Sequence, residues 1–392
     1  MMRRFLLASA GCVALVGIAD AAEGQSEEPA PAANLQLSLT GDLWSAASGG
    51  VSHDLVFLDE VDLQLSLDLE KLTGWQGASA FIYGLYTNGN SVSELAGDFN
   101  GISNIEIGVE HVRVVEAWID QAFDDGKGSI RAGLYDLCSE FDAGEVRALF
   151  LNSGHGSGSD FSQTGQNGPS MWPVTSLAVR VNYNFEGGYY LRGTLADGVP
   201  GNPDKPKRTT IDFQDGDGLL LAAEGGVAMD GRLWSLGVWT YTEQFPDLVT
   251  AENHSNAGAY LALEEPLLSS EAGDSFNLAG SFRVGFANSD INSLSSFFSA
   301  TLVATGLIPD LPEDQIGLGL LIANAGNKFQ SSEGLSEDQE INIELTYFAS
   351  LTESLTIQPD IQYVVNPGMD GSLEDAFVFG VRLSLNRNWS VD

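Results

Sequence analysis

The chain has only two cysteines in 392 residues, Cys12 and Cys138, which excludes a disulfide scaffold and a thiolate metal cluster. It is equally poor in cations. Lys and Arg number 17 against 54 Asp and Glu, a net charge of −37, so nucleic acid and anionic membrane surfaces are poor partners. After residue 18 no apolar run approaches the ~18 residues that a helical membrane span requires, so helical spans are excluded. Catalytic signatures are missing too: there is no G-x-S-x-G elbow, no H-E-x-x-H zinc pair and no phosphate loop. His155 lies near Ser153 and Ser157, but in a glycine-rich stretch; His53, His111 and His254 are isolated.

What is present begins with a leader. Arg3 and Arg4 precede the apolar run Phe5 to Ile18 and then Ala19-Asp20-Ala21, the pattern of a secretory signal. The expected signal peptide is residues 1–21, cut before Ala22, and it takes Cys12 with it. Cys138 is then the lone cysteine of the exported chain, expected as a small buried thiol. Residues 22–33 are rich in Pro, Ala and Glu and are expected to be a flexible leader, with residues 34–392 forming one domain.

That domain repeats one theme, period-two alternation over eight to twelve residues between clusters of Gly, Asp, Asn and Pro. Val61, Leu63, Leu65, Leu67 and Leu69 alternate with Asp62, Gln64, Ser66 and Asp68. Phe276, Leu278, Phe282, Val284 and Phe286 face away from Asn277, Ser281 and Arg283. Ile341, Ile343, Leu345 and Tyr347 alternate with Asn342, Glu344 and Thr346, and Phe377 to Leu385 repeat the pattern. Sixteen strands are expected near 35–44, 56–69, 78–87, 111–121, 129–136, 177–185, 188–195, 219–229, 232–242, 257–264, 276–286, 297–304, 316–322, 340–349, 355–365 and 376–387.

Alternation alone leaves open which face meets water, because a soluble sandwich buries its apolar face and a membrane barrel shows it to lipid. Strand length decides for the barrel, since these runs cross the hydrocarbon when tilted ~45°. Aromatic residues near the strand ends, Trp44, Tyr86, Trp118, Tyr183, Tyr189, Trp239, Tyr241, Tyr347, Tyr363, Phe377 and Trp389, are expected to form its interfacial girdles. The fold class is therefore all-β, a transmembrane antiparallel up-and-down β-barrel of about sixteen strands. Asp230-Gly231 reads as a two-residue hairpin turn, and residues 137–176 and 196–218 as long polar connections that lie outside or fold into the lumen.

Several stretches resemble the carbohydrate-selective porin family of OprB type. They are Leu39 to Asp42 (LTGD), Asp68 to Trp75 (DLEKLTGW), Arg131 to Asp136 (RAGLYD), Phe150 to Ser153 (FLNS) and Asn167 to Ser170 (NGPS). Asp197 to Pro203 (DGVPGNP), Ile357 to Tyr363 (IQPDIQY) and Asn366 to Gly368 (NPG) complete the ordered set. The resemblance implies a sixteen-stranded barrel, often a homotrimer, that passes sugars by facilitated diffusion through a constricted lumen. Its partners would be small neutral solutes such as monosaccharides, outer-membrane lipid and, during biogenesis, the barrel-assembly machinery of the bacterial outer membrane.

A passive pore needs no cofactor; it needs an eyelet whose width and charge choose the solute. Arg131, Arg180, Arg192, Arg283 and Arg382 fall on polar strand faces, where lipid exposure would cost ~2–4 kcal/mol at the midplane, so they are expected in the lumen. Arg131 leads the set, because it opens RAGLYD just before the long segment. Asp136, Glu140, Asp142 and Glu145 would supply facing acceptors, and Tyr135 or Trp172 a stacking surface. Around 110–120 the register is ambiguous: Glu110, Arg113 and Glu116 do not share a face, which calls for a bulge or a buried ion pair. Asp212, Asp215 and Asp217 hint at a cation site but lack the full calcium-loop spacing, so a solvated turn is favoured. The alternatives are a general or ion-selective porin, a secreted soluble β-protein such as an adhesin or lectin, and a barrel hydrolase.

Overall fold

The computed structural model describes residues 31–269, 276–308 and 310–392. The expected signal peptide and cleavage site, and most of the expected leader, lie outside the described residues. The first eight strands are β1 (Ala33–Ser48), β2 (Leu55–Asp68), β3 (Ala78–Thr87), β4 (His111–Phe123), β5 (Gly128–Tyr135), β6 (Ser176–Asn184), β7 (Tyr189–Asp197) and β8 (Leu219–Met229). The second eight are β9 (Arg232–Pro246), β10 (Asn253–Ser269), β11 (Asn277–Ala287), β12 (Leu294–Thr305), β13 (Gln315–Ala325), β14 (Gln339–Ser350), β15 (Leu355–Val365) and β16 (Ala376–Val391). Each pairs antiparallel with its sequence neighbours, and β1 pairs with β16 from Ala33↔Val391 onward, closing the barrel. Closure leaves no strand edge unpaired in lipid.

The outer wall decides between sandwich and membrane barrel. Leu63, Leu191, Leu236, Phe286, Leu318 and Phe379 are exposed, whereas Asp62, Gln64, Glu224, Arg283, Glu344 and Gln362 on the opposite faces are buried. A soluble protein would have these sets exchanged, because apolar side chains leave water when they can.

Short turns gather at the end that carries both chain termini. There Asp230 and Gly231, with φ of 55° and 73°, form the left-handed pair that a two-residue hairpin needs. Asp68 caps the helical turn Leu69–Thr73, accepting from Lys71 N at 3.0 Å, and Gly74 ends it at φ 80°. The long connections, residues 88–110, 136–175 and 198–218, lie at the other end. In a bacterial barrel the short turns face the periplasm and the long loops face outward.

Residues 136–175 fold into the lumen and line its interior rather than standing above it. Phe161 stacks on Trp239 with centroids 5.1 Å apart, and Tyr135, Leu137, Phe141 and Trp172 are buried with it. Residues 88–110 fold inward beside them, with Ile102 and Ile105 packed on Trp44 and Leu151. That second inward segment was not expected from the sequence.

One expectation is corrected and one ambiguity is resolved. Trp44, Trp239 and Tyr241 do not belong to a girdle; they point inward against the folded-in segments, whereas Tyr189 and Trp389 do face outward. The ambiguity at 110–120 resolves as a bulge. Tyr83 pairs with Glu116 and Gly84 with Val114, so the extra residue Val115 lets Arg113 and Glu116 both point inward, while Glu110 precedes the strand. Cys138 is fully buried in the inward segment, as expected, and its backbone N–H donates to Asp136 at 3.1 Å.

Candidate functional site

Beneath the inward segments the lumen opens into a cavity of about 870 Å³. One wall comes from β1, β2 and β16. Their inward positions alternate with lipid-facing leucines and so carry Gln36, Ser38, Thr40, Glu60, Asp62, Gln64, Arg382 and Asn386. The other wall comes from β4, β5 and β7, with Glu116, Trp118, Arg131, Tyr190 and Arg192. The inward segment supplies Asp136, Glu140, Glu145 and Trp172 as a roof.

Arg131 is held from several sides in this wall. Its guanidinium carbon sits 3.7 Å above the Trp118 ring and 5.4 Å from that of Tyr135, while Nε lies 3.0 Å from Asp120. Arg180 stands directly across from it in the ladder, a like-charge pair that would repel if left alone. Asp120 and Glu140 sit between the two. Arg180 reaches Glu140 at 2.7 Å and Asp120 at 3.0 Å, and Arg131 approaches Glu140 at 3.7 Å. Burial pushes the Glu140 carboxyl up, but Arg131, Arg180 and Arg192 outweigh it and hold the group below the usual carboxylate range. Arg192 stacks 4.3 Å from the Tyr190 ring and donates to the Glu140 carbonyl at 2.6 Å.

Across the cavity Arg382 grips Asp42 with two hydrogen bonds, 2.7 and 2.8 Å, and donates to Ser103 Oγ at 3.2 Å. The Tyr83 hydroxyl donates to Asp62 at 2.6 Å and accepts from Trp172 Nε1 at 3.1 Å, so an aromatic pair and a carboxylate are locked together. Phe81 packs 5.3 Å from Trp118 and extends the apolar strip. Fixed carboxylates, guanidiniums and aromatic faces therefore converge on one open space.

Of the residues singled out from sequence, Arg131, Asp136, Glu140, Glu145, Trp172, Arg192 and Arg382 line the cavity. Tyr135 lies just behind it, its hydroxyl donating to Glu140. Arg180, Asp142 and Arg283 are sealed away from it. Arg283 instead clamps the inward segment, bonding Asp142 at 2.8 Å and also Asp160. Asp212 accepts from Asn202 at 2.7 Å and Asp217 from Gln214 N at 2.7 Å, which makes this stretch a hydrogen-bonded turn. Among the described residues no set of three His, Cys, Asp or Glu is placed to hold a metal.

Sequence reasoning missed Glu60, Tyr83 and Ser103, and placed Trp118 in a girdle. The parity of β2 did put Asp62 and Glu60 on the inner face; nothing in a chain this acidic singled them out. A serine–histidine–carboxylate contact does exist, though with strand residues and not with Ser153 or Ser157: Ser299 Oγ lies 3.0 Å from His155 Nδ1, and Glu344 lies 3.7 Å from Nε2. All three are fully buried, and burial, then Arg147, pushes the His155 pKa down to about 3. The trio ties the inward segment to the wall and has no opening to the cavity.

Residues 52–386 match the model of the carbohydrate-selective porin, OprB family. The chain belongs to that family. Porin B of Pseudomonas aeruginosa is 22% identical over 399 aligned positions, covering 89% of this chain and 86% of that protein. The putative porin QuiX of Acinetobacter baylyi is 22% identical, covering 86% of this chain and 84% of its own length. The high-pH structure of Pseudomonas putida OprB superposes with a TM-score of 0.80 at 18% identity, over 91% of this chain and 94% of that one. The channel DcaP of Acinetobacter baumannii follows the same fold at TM-score 0.56 and 12% identity, over 93% and 99% of the two chains. The protein is thus an outer-membrane porin, a channel for small solutes rather than an enzyme by family.

Proposed function

We propose that this porin passes neutral monosaccharides and disfavours anions. The observation that carries the reading is the composition of the cavity wall: six carboxylates and three guanidiniums line it, beside the stacked Arg131–Trp118 pair. A sugar is neutral and rich in hydroxyls, so fixed donors and acceptors replace its water while an aromatic face covers the apolar side of the ring. An anion meets a net negative wall and pays Coulomb repulsion that a neutral sugar does not.

Arg131, Arg192 and Arg382, with Glu60, Asp62, Asp136, Glu140 and Trp172, form the constriction in this reading, and Arg180, Asp142, Tyr135 and Arg283 hold them in place. Residues 1–21 are an export signal and 22–33 a leader in the same proposal, with insertion by the assembly machinery and assembly as a homotrimer. Liposome swelling with glucose, gluconate and glucosamine tests it. Glucose entering faster than gluconate supports the proposal. Equal rates for glucose and gluconate would refute it in favour of a general pore, and glucosamine outrunning glucose would indicate cation selectivity instead.

A further inference from the structure

We propose that residues 205–213, on the connection between β7 and β8, form a docking site for a phosphorylated glycolipid of the outer leaflet. The argument begins with the distribution of cations. Of the six Lys and Arg at the long-loop end among the described residues, Arg113 and Arg147 are buried, and Lys328 is paired with Asp247 and with Asp290 at 2.7 Å. Lys205, Lys207 and Arg208 remain, exposed, within four residues of one another and without an ion pair among the described residues. In a chain of net charge −37 they are, among the described residues, the one place at this end where a phosphate meets attraction rather than repulsion.

Their position is fixed at the barrel margin. The pairing of β4 with β5 stops at Ala117↔Leu134, which leaves the backbone of Val114 without a strand partner on that side. The side chain of Thr209 takes that place: its Oγ accepts from Val114 N at 2.8 Å and donates to Val114 O at 2.7 Å. Arg113 reaches through the same gap to the carbonyls of Pro173, at 3.1 Å, and Pro206. The cations therefore sit beside the last lipid-facing residues of β4, Val112 and Val114, and not at the tip of a distal loop.

Apolar surface continues outward from them. Ile211 and Phe213 are 57% and 62% exposed, and Val112 is 68% exposed. A row of cations bordering exposed aliphatic and aromatic groups, level with the edge of the hydrocarbon, matches a ligand that carries phosphates on a sugar head and acyl chains below it. Asp212, Asp215 and Asp217 lie on the β8 side of the same loop; Asp212 and Asp217 are engaged with Asn202 and Gln214, and none of the three forms an ion pair with the cations among the described residues.

The test is native mass spectrometry of the purified porin in detergent, titrated with a bis-phosphorylated, multiply acylated glucosamine disaccharide lipid, its mono-phosphorylated form and phosphatidylethanolamine. The bis-phosphorylated lipid is expected to bind best. The triple variant K205S/K207S/R208S is expected to lose about a hundredfold in affinity at low salt, about a factor of five per cation. I211S/F213S is expected to weaken binding while leaving its salt dependence intact. Wild-type binding should fall as ionic strength rises from about 0.05 to about 0.5 M, a measurement that needs no variant.

Equal binding by the triple variant and the wild type would overturn the proposal. So would complete displacement of the lipid by millimolar inorganic phosphate, which would mark a site for free anions. Channel conductance of each variant verifies its fold, because these residues lie outside the lumen.

Discussion

Arg283 is the residue on which the inward placement of residues 136–175 should depend most. It is fully buried on β11; its Nε lies 3.1 and 3.2 Å from the two oxygens of Asp142, and Nη2 lies 2.8 Å from Asp142 and 3.2 Å from Asp160. Arg283→Met keeps much of the volume between Tyr260 and Phe297 but strands Asp160, which has no other cation partner among the described residues; Asp142 retains Arg147 at 3.3 Å. Breaking a buried pair on one side costs about 3–5 kcal/mol, which shifts the docking equilibrium of the segment by roughly two to three and a half orders of magnitude. Single-channel recording should therefore show a larger, flickering conductance. Trypsin should cut after Arg147, which is 1% exposed in the intact protein. Adding Asp160→Asn should restore much of the wild-type behaviour, because the stranded charge is gone. Wild-type conductance together with full trypsin resistance in R283M, in a protein with normal heat-modifiable migration, would refute the reasoning.

Arg131→Ala removes the guanidinium stacked on Trp118 and should raise conductance while slowing glucose relative to its unhindered diffusion; unchanged conductance and swelling rates would count against a constriction there. Glu106, in the inward segment 88–110, accepts from Ser91 Oγ, from Val92 N at 2.9 Å and from Ser93 N at 3.2 Å, and burial, then Asp98, pushes its pKa up to about 7. A carboxyl released to water titrates near ~4.3, so the docked segment binds the proton more tightly. Docking should then be strongest below that value and weaken as pH rises through about 7, seen as more frequent current fluctuations at pH ~8 than at ~5, with Glu106→Gln abolishing the dependence. Gly133→Ala should destabilise the barrel by about 1–3 kcal/mol, since its φ is +145° and a Cβ would meet the Ala117 carbonyl at 2.2 Å. A lower temperature for the heat-induced gel shift checks it.

The strands were legible because lipid and water act on alternate residues, and the alternation of Val61 to Leu67 or Ile341 to Tyr347 has no other simple reading. The same binary signal fails where the inner face meets protein instead of water. Trp44, Trp239, Tyr241 and Phe297 point inward because they pack on residues 88–110 and 136–175, so their apolar character mimicked outward positions. The bulge at Val115 was visible only as a conflict among charged residues, since period-two counting breaks at a single inserted residue.

Arginine was informative for the site because it is scarce here, and all five selected arginines are inward. Whether each meets solute or a structural carboxylate depends on contacts between residues more than a hundred positions apart, such as Arg283 with Asp142, which no local pattern encodes.

The central claim, that one face of every strand surrounds a conducting water column and the other meets lipid, is tested most directly by cysteine modification at neighbouring positions of β1. Ser38 lines the cavity and Leu39 faces outward. In planar bilayers a charged, membrane-impermeant thiol reagent should reduce the single-channel current of Ser38→Cys and leave Leu39→Cys and the wild type unaffected. Current block in Leu39→Cys without block in Ser38→Cys, or the absence of any channel activity, would contradict it.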